Sequence, residues 1–296
     1  MVGISSAGIG SGLDIEGIIS SLMAAERIPL TKVSQERTAI NTKISIYGII
    51  KNSFADLKAA ADKLSSLNNL NPLKATSSDE KIVSASASAA GAKGSYSIEV
   101  SQLAKAQSVA AQGVATADTT VGTGSLTITL GSYDSGTNTF TNNADKTPVT
   151  INIGTGQQTL DGIKQAINDS DAGVTASIVN DGTGSRLVLT SKETGAVNGF
   201  KLEVTDADGN NTDTTGISRL AYDPTAAVGA GKNATSLQIA QNANFTINNL
   251  AVTKASNTVT DAVEGLTLNL KAVTTTPVNL EVSLDDSALK TTLDGF

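Results

Sequence analysis

Few residues in this chain could do chemistry. Cysteine and histidine are both absent from the 296 residues, which excludes thiol nucleophiles, histidine-based triads, zinc fingers and most transition-metal sites together. Two stretches have spacing worth weighing. The first, "SSAGIGSGLDIEGIISSL" (5–22), sets glycines at 8, 10, 12 and 17 ahead of a helical pattern. A phosphate-cradling loop there needs a preceding strand in a βαβ setting, or a closing Gly-Lys-Ser/Thr. "MVGISSA" is too short for a core strand, and Leu13-Asp14 stand where Lys-Ser belongs. An acidic cap also repels phosphate at the positive end of the helix dipole. The stretch reads as a supple arm that orders on meeting a partner.

The second, "DADGNNTD" (206–213), has the look of a calcium loop, with Asp206, Asp208, Asn210 and Asp213. The pattern then fails, because glycine falls at the fourth position instead of the sixth and the twelfth is Ile217, not Glu. A hairpin turn accounts for it. Asn-x-Ser/Thr triplets at Asn233 and Asn244 are what an Asn- and Thr-rich sequence produces by chance. No pair of carboxylates sits in an apolar setting suited to acid–base work. No catalytic, cofactor-binding or metal-ligating residue is nominated, and the expectation is a protein that is not an enzyme and uses no cofactor.

The elements follow from periodicity. From Asp14 to about Leu67 the pattern is helical: Asp14 suits an N-cap, and Ile15, Ile18, Ile19, Leu22 and Met23 follow at helical spacing. Pro29 is expected to kink this helix or start a new one. Leu30, Val33, Arg37, Ile40, Ile44 and Tyr47 step by three and four, and Ile50, Phe54, Leu57, Ala61 and Leu64 resume after a stammer-like step. From Leu30 to Leu67 such a rod would extend roughly 57 Å at 1.5 Å per residue. A lone rod with one apolar stripe is unstable in water and needs partners, in cis or in trans.

"LNNLNPLKATSSDE" (67–80) ends the helix, and strands dominate to Leu284. Val83, Ala85 and Ala87 alternate, as do Ile98 and Val100, then Leu126, Ile128 and Leu130, then Val149, Ile151 and Ile153. The last two runs read as a hairpin around a long polar loop, 131–147. A short helix carries Leu160, Ile163, Ala166 and Ile167 on one face, and three strands follow. The segment 221–236 reads as a linker, "NFTINNLAVTK" as a hairpin around Asn248-Asn249, and "LTLNLKA" and "VNLEVSL" as alternating strands. A last helix follows, with Asp286 or Ser287 as its cap and Leu289, Leu293 and Phe296 spaced along it. A helix cut off after about three turns suggests that a longer protein has been truncated.

Composition narrows the class. The net charge of −7 carries no basic cluster, so nucleic acid and anionic membrane are poor partners. Aromatic residues make up 3% and Trp is absent, so the cores are built from Ala, Val, Ile and Leu. The N-terminus lacks a signal-peptide pattern and no run approaches the roughly 20 apolar residues of a membrane span. Zero cysteine suits export into an oxidising medium, which would then require a non-Sec route.

Four segments resemble the flagellar filament cap family, also called hook-associated protein 2: "GIGSGLDIEGIISSLMAAERIPL" (8–30), "GSYSIEVSQLAKAQSVAAQG" (94–113), "NANFTINNLAVTKASNTVTDAVEGLTLNLK" (242–271) and "VNLEVSLDDSALK" (278–290). The middle, 114–235, matches only in general character. The resemblance implies an α+β multidomain fold: an N-terminal coiled-coil or helical leg, then two small β-rich head domains, one inserted into the other. The implied bounds are 1–75 for the arm and leg, 76–112 with 236–284 for the discontinuous head domain, 113–235 for the insert, and 285–296 for the start of a C-terminal leg helix.

The implied activity is mechanical. A ring-shaped, pentamer-like homo-oligomer at the filament tip promotes folding and insertion of exported flagellin. Implied partners are other copies of itself, flagellin, the hook–filament junction proteins and an export chaperone before secretion. The implied location is extracellular, at the flagellum tip, reached by the flagellar type III route without a cleaved signal peptide. Leu13, Ile18, Leu22, Met23, Leu30, Val33, Ile40 and Ile44 are the expected filament or oligomer interface. An ordinary intramolecular coiled coil is the plainer alternative for the same seam. Two rival functions are a tip-located adhesin binding host mucin or glycans through the β-rich head, prompted by the loop at 131–147, and a flagellin-like or hook-junction subunit.

Overall fold

The computed structural model describes residues 14–65 and 70–294. Compact units divide the chain in two: one takes the terminal helices, and Asn71–Asp286 forms the other.

Helix α1 (Ile15–Leu64) is a single helix of 50 residues, about 75 Å long at 1.5 Å per residue. Asp14 caps it, its carboxylate accepting from the Gly17 amide at 2.8 Å, and Glu16 adds negative charge to the first turn. Pro29 lies inside the continuous helix, so of the two outcomes expected there a new helix does not start. The proline removes one i→i−4 bond, but good helix formers flank it on both sides and carry the ladder through. The step between Tyr47 and Ile50 likewise falls inside unbroken helix. Ser65 closes it, its amide reaching the Asp62 carbonyl at 3.2 Å.

The larger unit contains two hydrophobic cores. One is shared by the inner faces of a five-stranded and a three-stranded antiparallel sheet. The strands of the first are β1 (Leu73–Ser77), β3 (Gly94–Gln102), β12 (Ala243–Ile247), β13 (Leu250–Lys254) and β16 (Val278–Leu284), in the order β1-β16-β3-β12-β13. The second holds β2 (Val83–Ala87), β14 (Thr258–Val259) and β15 (Leu266–Leu270), in the order β14-β15-β2. Val83, Ile98, Phe245, Leu268 and Leu280 are among the buried residues. The alternation read in "LTLNLKA" and "VNLEVSL" holds, since Leu266, Leu268 and Leu270 are buried, as are Val278, Leu280 and Val282. The two strands belong to different sheets. The Asn248-Asn249 hairpin forms as expected, both residues at positive φ (49° and 67°), as a two-residue type I′ loop requires.

Residues between Val109 and Ala234 supply the other core. One sheet has β10 (Gly199–Asp206) paired along its whole length with β5 (Gly124–Asp134), which also pairs with β6 (Thr139–Asn142) at one end and β7 (Val149–Ile153) at the other. The second sheet orders as β11-β4-β9-β8, with β4 (Ser108–Ala110), β8 (Val174–Asn180), β9 (Ser185–Ser191) and β11 (Thr235–Gln238). Helix α2 (Leu160–Asp169) buries Leu160, Ile163, Ala166 and Ile167, the four residues its periodicity selects, and Thr159 caps it.

Two sequence readings are corrected here. The stretch 131–147 is no open loop, because β5 runs on to Asp134 and Thr139–Asn142 turns back onto it, with Asp134 accepting from the Gly136 amide at 2.8 Å. The adhesin reading therefore loses the loop that prompted it. Nor is 221–236 a free linker. Tyr222 pairs through its backbone with Leu202, and the buried Asn233 side chain donates to the carbonyls of Asp213 and Ser218 at 2.5 and 2.8 Å. Glycine and alanine make the segment look loose, but the Tyr222 backbone and the Asn233 side chain fasten it down. The last element, α3 (Asp286–Asp294), already includes Asp286 and Ser287, the residues expected to cap it, so it starts earlier than the sequence suggested.

Candidate interaction surface

α1 buries none of its residues. An isolated helix gains little from propensity alone, so a face this apolar and this exposed is a candidate interaction surface. Of the eight sequence-nominated residues, seven are described, and all are exposed: Ile18, Leu22, Met23, Leu30, Val33, Ile40 and Ile44, with Leu30 at 69% and Leu22 at 68%. Leu13 lies outside the described residues. The helix brings the seven onto one side through the three-and-four spacing.

Periodicity also shows what the seam list omitted. Ile28, Ile46 and Ile49 are exposed too, and at roughly 100° per residue they lie on the far side from Val33 and Ile40. Ile44, Ile46, Tyr47, Ile49 and Ile50 together span more than half of the helix circumference at that spacing. A helix that is apolar over so wide an arc is one that packs on more than one side. Continuing the 3.6 period from Ile28 through Ile46 to Leu64 would have found this second stripe.

Five hydroxyls of α1 are already satisfied within the helix. Thr31, Thr38, Thr42, Ser45 and Ser53 each donate to the carbonyl four residues earlier, at 2.9 to 3.1 Å. A partner covering these five hydroxyls leaves none of them orphaned. Charge is distributed unevenly along the chain: residues 14–65 hold seven basic and six acidic side chains, so the acidity of the protein lies in its β-rich part. Lys58 and Asp62 form an i,i+4 pair at 2.6 Å on an exposed face, where such pairs are worth little.

The other stretches weighed for chemistry take structural roles. Asp206 is buried and accepts from the Ser218 amide and hydroxyl at 3.0 and 3.1 Å, while Asp208, Asn210 and Asp213 cap amides two residues on. These are Asx turns, but they lead from β10 into the short helical turn Gly216–Leu220 and not into the second strand of a hairpin, as the sequence suggested. In the hairpin between β8 and β9, Asp181 is held well below the usual carboxylate range, first by the Thr183 hydroxyl, then by the Arg186 guanidinium. A cavity of about 300 Å³ is lined by Leu130, Val149, Ala172, Lys146, Asp171 and Lys192. Its charges answer one another: Lys192 donates to Asp171 at 3.0 Å and holds that carboxyl down, with Lys146 adding to the effect. No described helix is long and apolar enough to cross a membrane.

Comparison with known proteins agrees with this arrangement. Residues 11–107 match the model of the flagellar hook-associated protein 2 N-terminus, 240–296 that of its C-terminus, and 125–193 the flagellin hook IN motif. Flagellar hook-associated protein 2 of Escherichia coli K12 is 36% identical over 263 residues, 88% of this chain and 52% of that protein. The B-type flagellar hook-associated protein 2 of Pseudomonas aeruginosa is 33% identical over 305 residues, 100% of this chain and 60% of that one. The chain thus spans little more than half the length of these relatives. Among solved structures, the D1-D2-D3 domains of the Escherichia coli flagellar cap protein FliD superpose with a TM-score of 0.72 at 33% identity, covering 85% of this chain and 65% of that one. The D2-D3 domains of the same protein give 0.60 at 34% identity, covering 72% of this chain and 100% of that one.

Proposed function

The chain belongs to the flagellar hook-associated protein 2 family, and from that premise we propose that it is the N-terminal part of a flagellar filament cap. In this reading α1 is a leg that works by exchanging apolar partners, and the two β cores are head domains, the one between Val109 and Ala234 inserted into the other. The heads assemble with other copies into a ring at the filament tip. The legs reach onto flagellin, hold a space in which an exported subunit folds, and let it insert. The protein travels through the flagellar export channel, met first by a chaperone, and seats on the hook–filament junction proteins. Its work is positional and needs no reacting group.

The observation that carries this reading is the bare α1. A 50-residue helix with large aliphatic side chains on more than one side and no buried residue is suited to partners that come and go.

The test is a chimera in which this chain replaces the matched half of the Escherichia coli relative, in cells deprived of their own copy. Filaments with capped tips and little flagellin lost to the medium are expected. Flagellin accumulating in the medium with no filaments, from a chimera that is exported and folded, would overturn the proposal.

A further inference from the structure

The two head cores are joined by two crossing segments, one outgoing after β3 (103–107) and one returning before β12 (239–242). Two strands passing once between domains are commonly a hinge. Here they are zipped together. Lys105 and Gln241 exchange both backbone hydrogen bonds, at 2.9 and 3.1 Å. Where backbone pairing lapses on either side, glutamine side chains take over: Gln102 donates to the Asn242 carbonyl at 2.7 Å, Gln241 to Leu103 at 2.9 Å, and Gln238 to Ala106 at 2.7 Å.

A third segment clamps the zipped pair. The turn after β9 comes from the inserted core and lies against the other. Its Gly195 amide donates to Lys105 at 3.2 Å, the Ala196 amide to the Asn242 side chain at 2.8 Å, and the Thr194 hydroxyl to the Ala255 carbonyl at 2.7 Å. From the far side Asn257 meets Ala104 with its whole carboxamide, accepting from the amide at 2.7 Å and donating to the carbonyl at 2.9 Å, in the manner of a neighbouring strand. Gly195 is the tightest point. It adopts φ +103°, and a Cβ there would stand 2.5 Å from the Ala255 Cβ and 2.8 Å from its Cα and carbonyl oxygen. Only glycine satisfies both the conformation and the space.

We propose that this hydrogen-bonded joint, keyed by Gly195, locks the two head cores into one rigid body at a fixed angle, in place of the hinge that two crossing segments would otherwise make. Hydrogen bonds are directional where apolar contacts are not, so a joint built from them holds an angle as well as a distance. A head built this way passes a push on one core to the other instead of bending between them.

The test exploits the absence of cysteine. Exposed Thr175 of the inserted core and Glu281 of the other are each replaced by cysteine, spin-labelled, and the distance distribution between them is measured in the otherwise unchanged chain. A single narrow distribution is expected. Gly195→Val should broaden it at least about twofold, with faster hydrogen exchange at the Lys105, Gly195, Ala196 and Gln241 amides and unchanged exchange inside either core. The double variant Gln241→Ala, Asn257→Ala removes links without adding bulk, and it decides the matter independently if Gly195→Val does not fold. A distribution already broad in the parent overturns the proposal, as does one equally narrow in the double variant with both cores intact.

Discussion

Replacing Ile40 and Ile44 together by alanine separates a surface that binds from one that is merely exposed. Each substitution removes three carbons, worth about 2.4 kcal/mol when fully buried at about 0.8 kcal/mol per methylene. The two side chains are 56% and 62% exposed in the free chain, so only that share remains to be gained when a partner covers them. The pair should then cost about 3 kcal/mol of association, roughly a hundredfold in Kd. The free helix should scarcely notice, because exposed positions tolerate substitution to within about 0.5 kcal/mol and alanine is the better helix former. The assay is binding of fluorescently labelled chimera, with and without the two substitutions, to the ends of flagellin filaments, alongside thermal unfolding of each. Affinity within about twofold of the parent, with unfolding unchanged, would refute the reasoning.

Asp14→Ala removes the carboxylate that holds the Gly17 amide and should destabilise the start of α1 by about 1 kcal/mol, read as faster hydrogen exchange in its first turn. Gly216→Ala places a Cβ 2.1 Å from the Asp206 carboxylate at a residue with φ +51°, and should lower head stability by at least about 1 kcal/mol, measured from the denaturant midpoint at constant m. The pH profile should be flat from about pH 6 to 9, where histidine and cysteine would titrate if there were any. The carboxyls of Asp134, Asp171, Asp181 and Asp261 are all depressed, by the Gly136 amide, Lys192, the Thr183 hydroxyl and Lys254 respectively. Their contribution is therefore complete above about pH 5 and fades as pH falls through about 4 towards the depressed folded values. At the other end burial raises the Tyr222 hydroxyl, so a further loss should set in as pH climbs past about 10. Thermal unfolding across this range checks both arms.

How much of this was legible from sequence followed the range of the interactions. Asp14, the four buried residues of α2, the Asn248-Asn249 turn and the alternating leucines of β15 and β16 all rest on neighbours within a turn or two, and periodicity finds such features. The new start considered at Pro29 does not occur because the cost of one proline is small beside a helix of 50 residues. The short strands β4, β6 and β11 escaped because three or four residues carry too little alternation, and β4 owes its place to β9 and β11, far away in sequence. The segment 221–236 read as loose because composition does not reveal that Asn233 reaches carbonyls about 20 residues upstream. Most of the exposed apolar residues of α1 were visible as a seam; Ile28, Ile46 and Ile49 were missed because a heptad template follows one stripe only. The joint between the cores was invisible, since Gln102 and Asn242 are 140 residues apart.

The most direct measurement uses single cysteines placed at 40 and at 49, one on each apolar side of α1, and follows their reaction with a maleimide in the free chimera and at the tips of growing filaments. Both should label readily in the free protein and be protected at the tip, whereas a cysteine at exposed Thr175 of the head should label alike in both. Equal labelling of positions 40 and 49 in the free protein and in assembled tips would contradict the reading of α1 as a surface that partners cover.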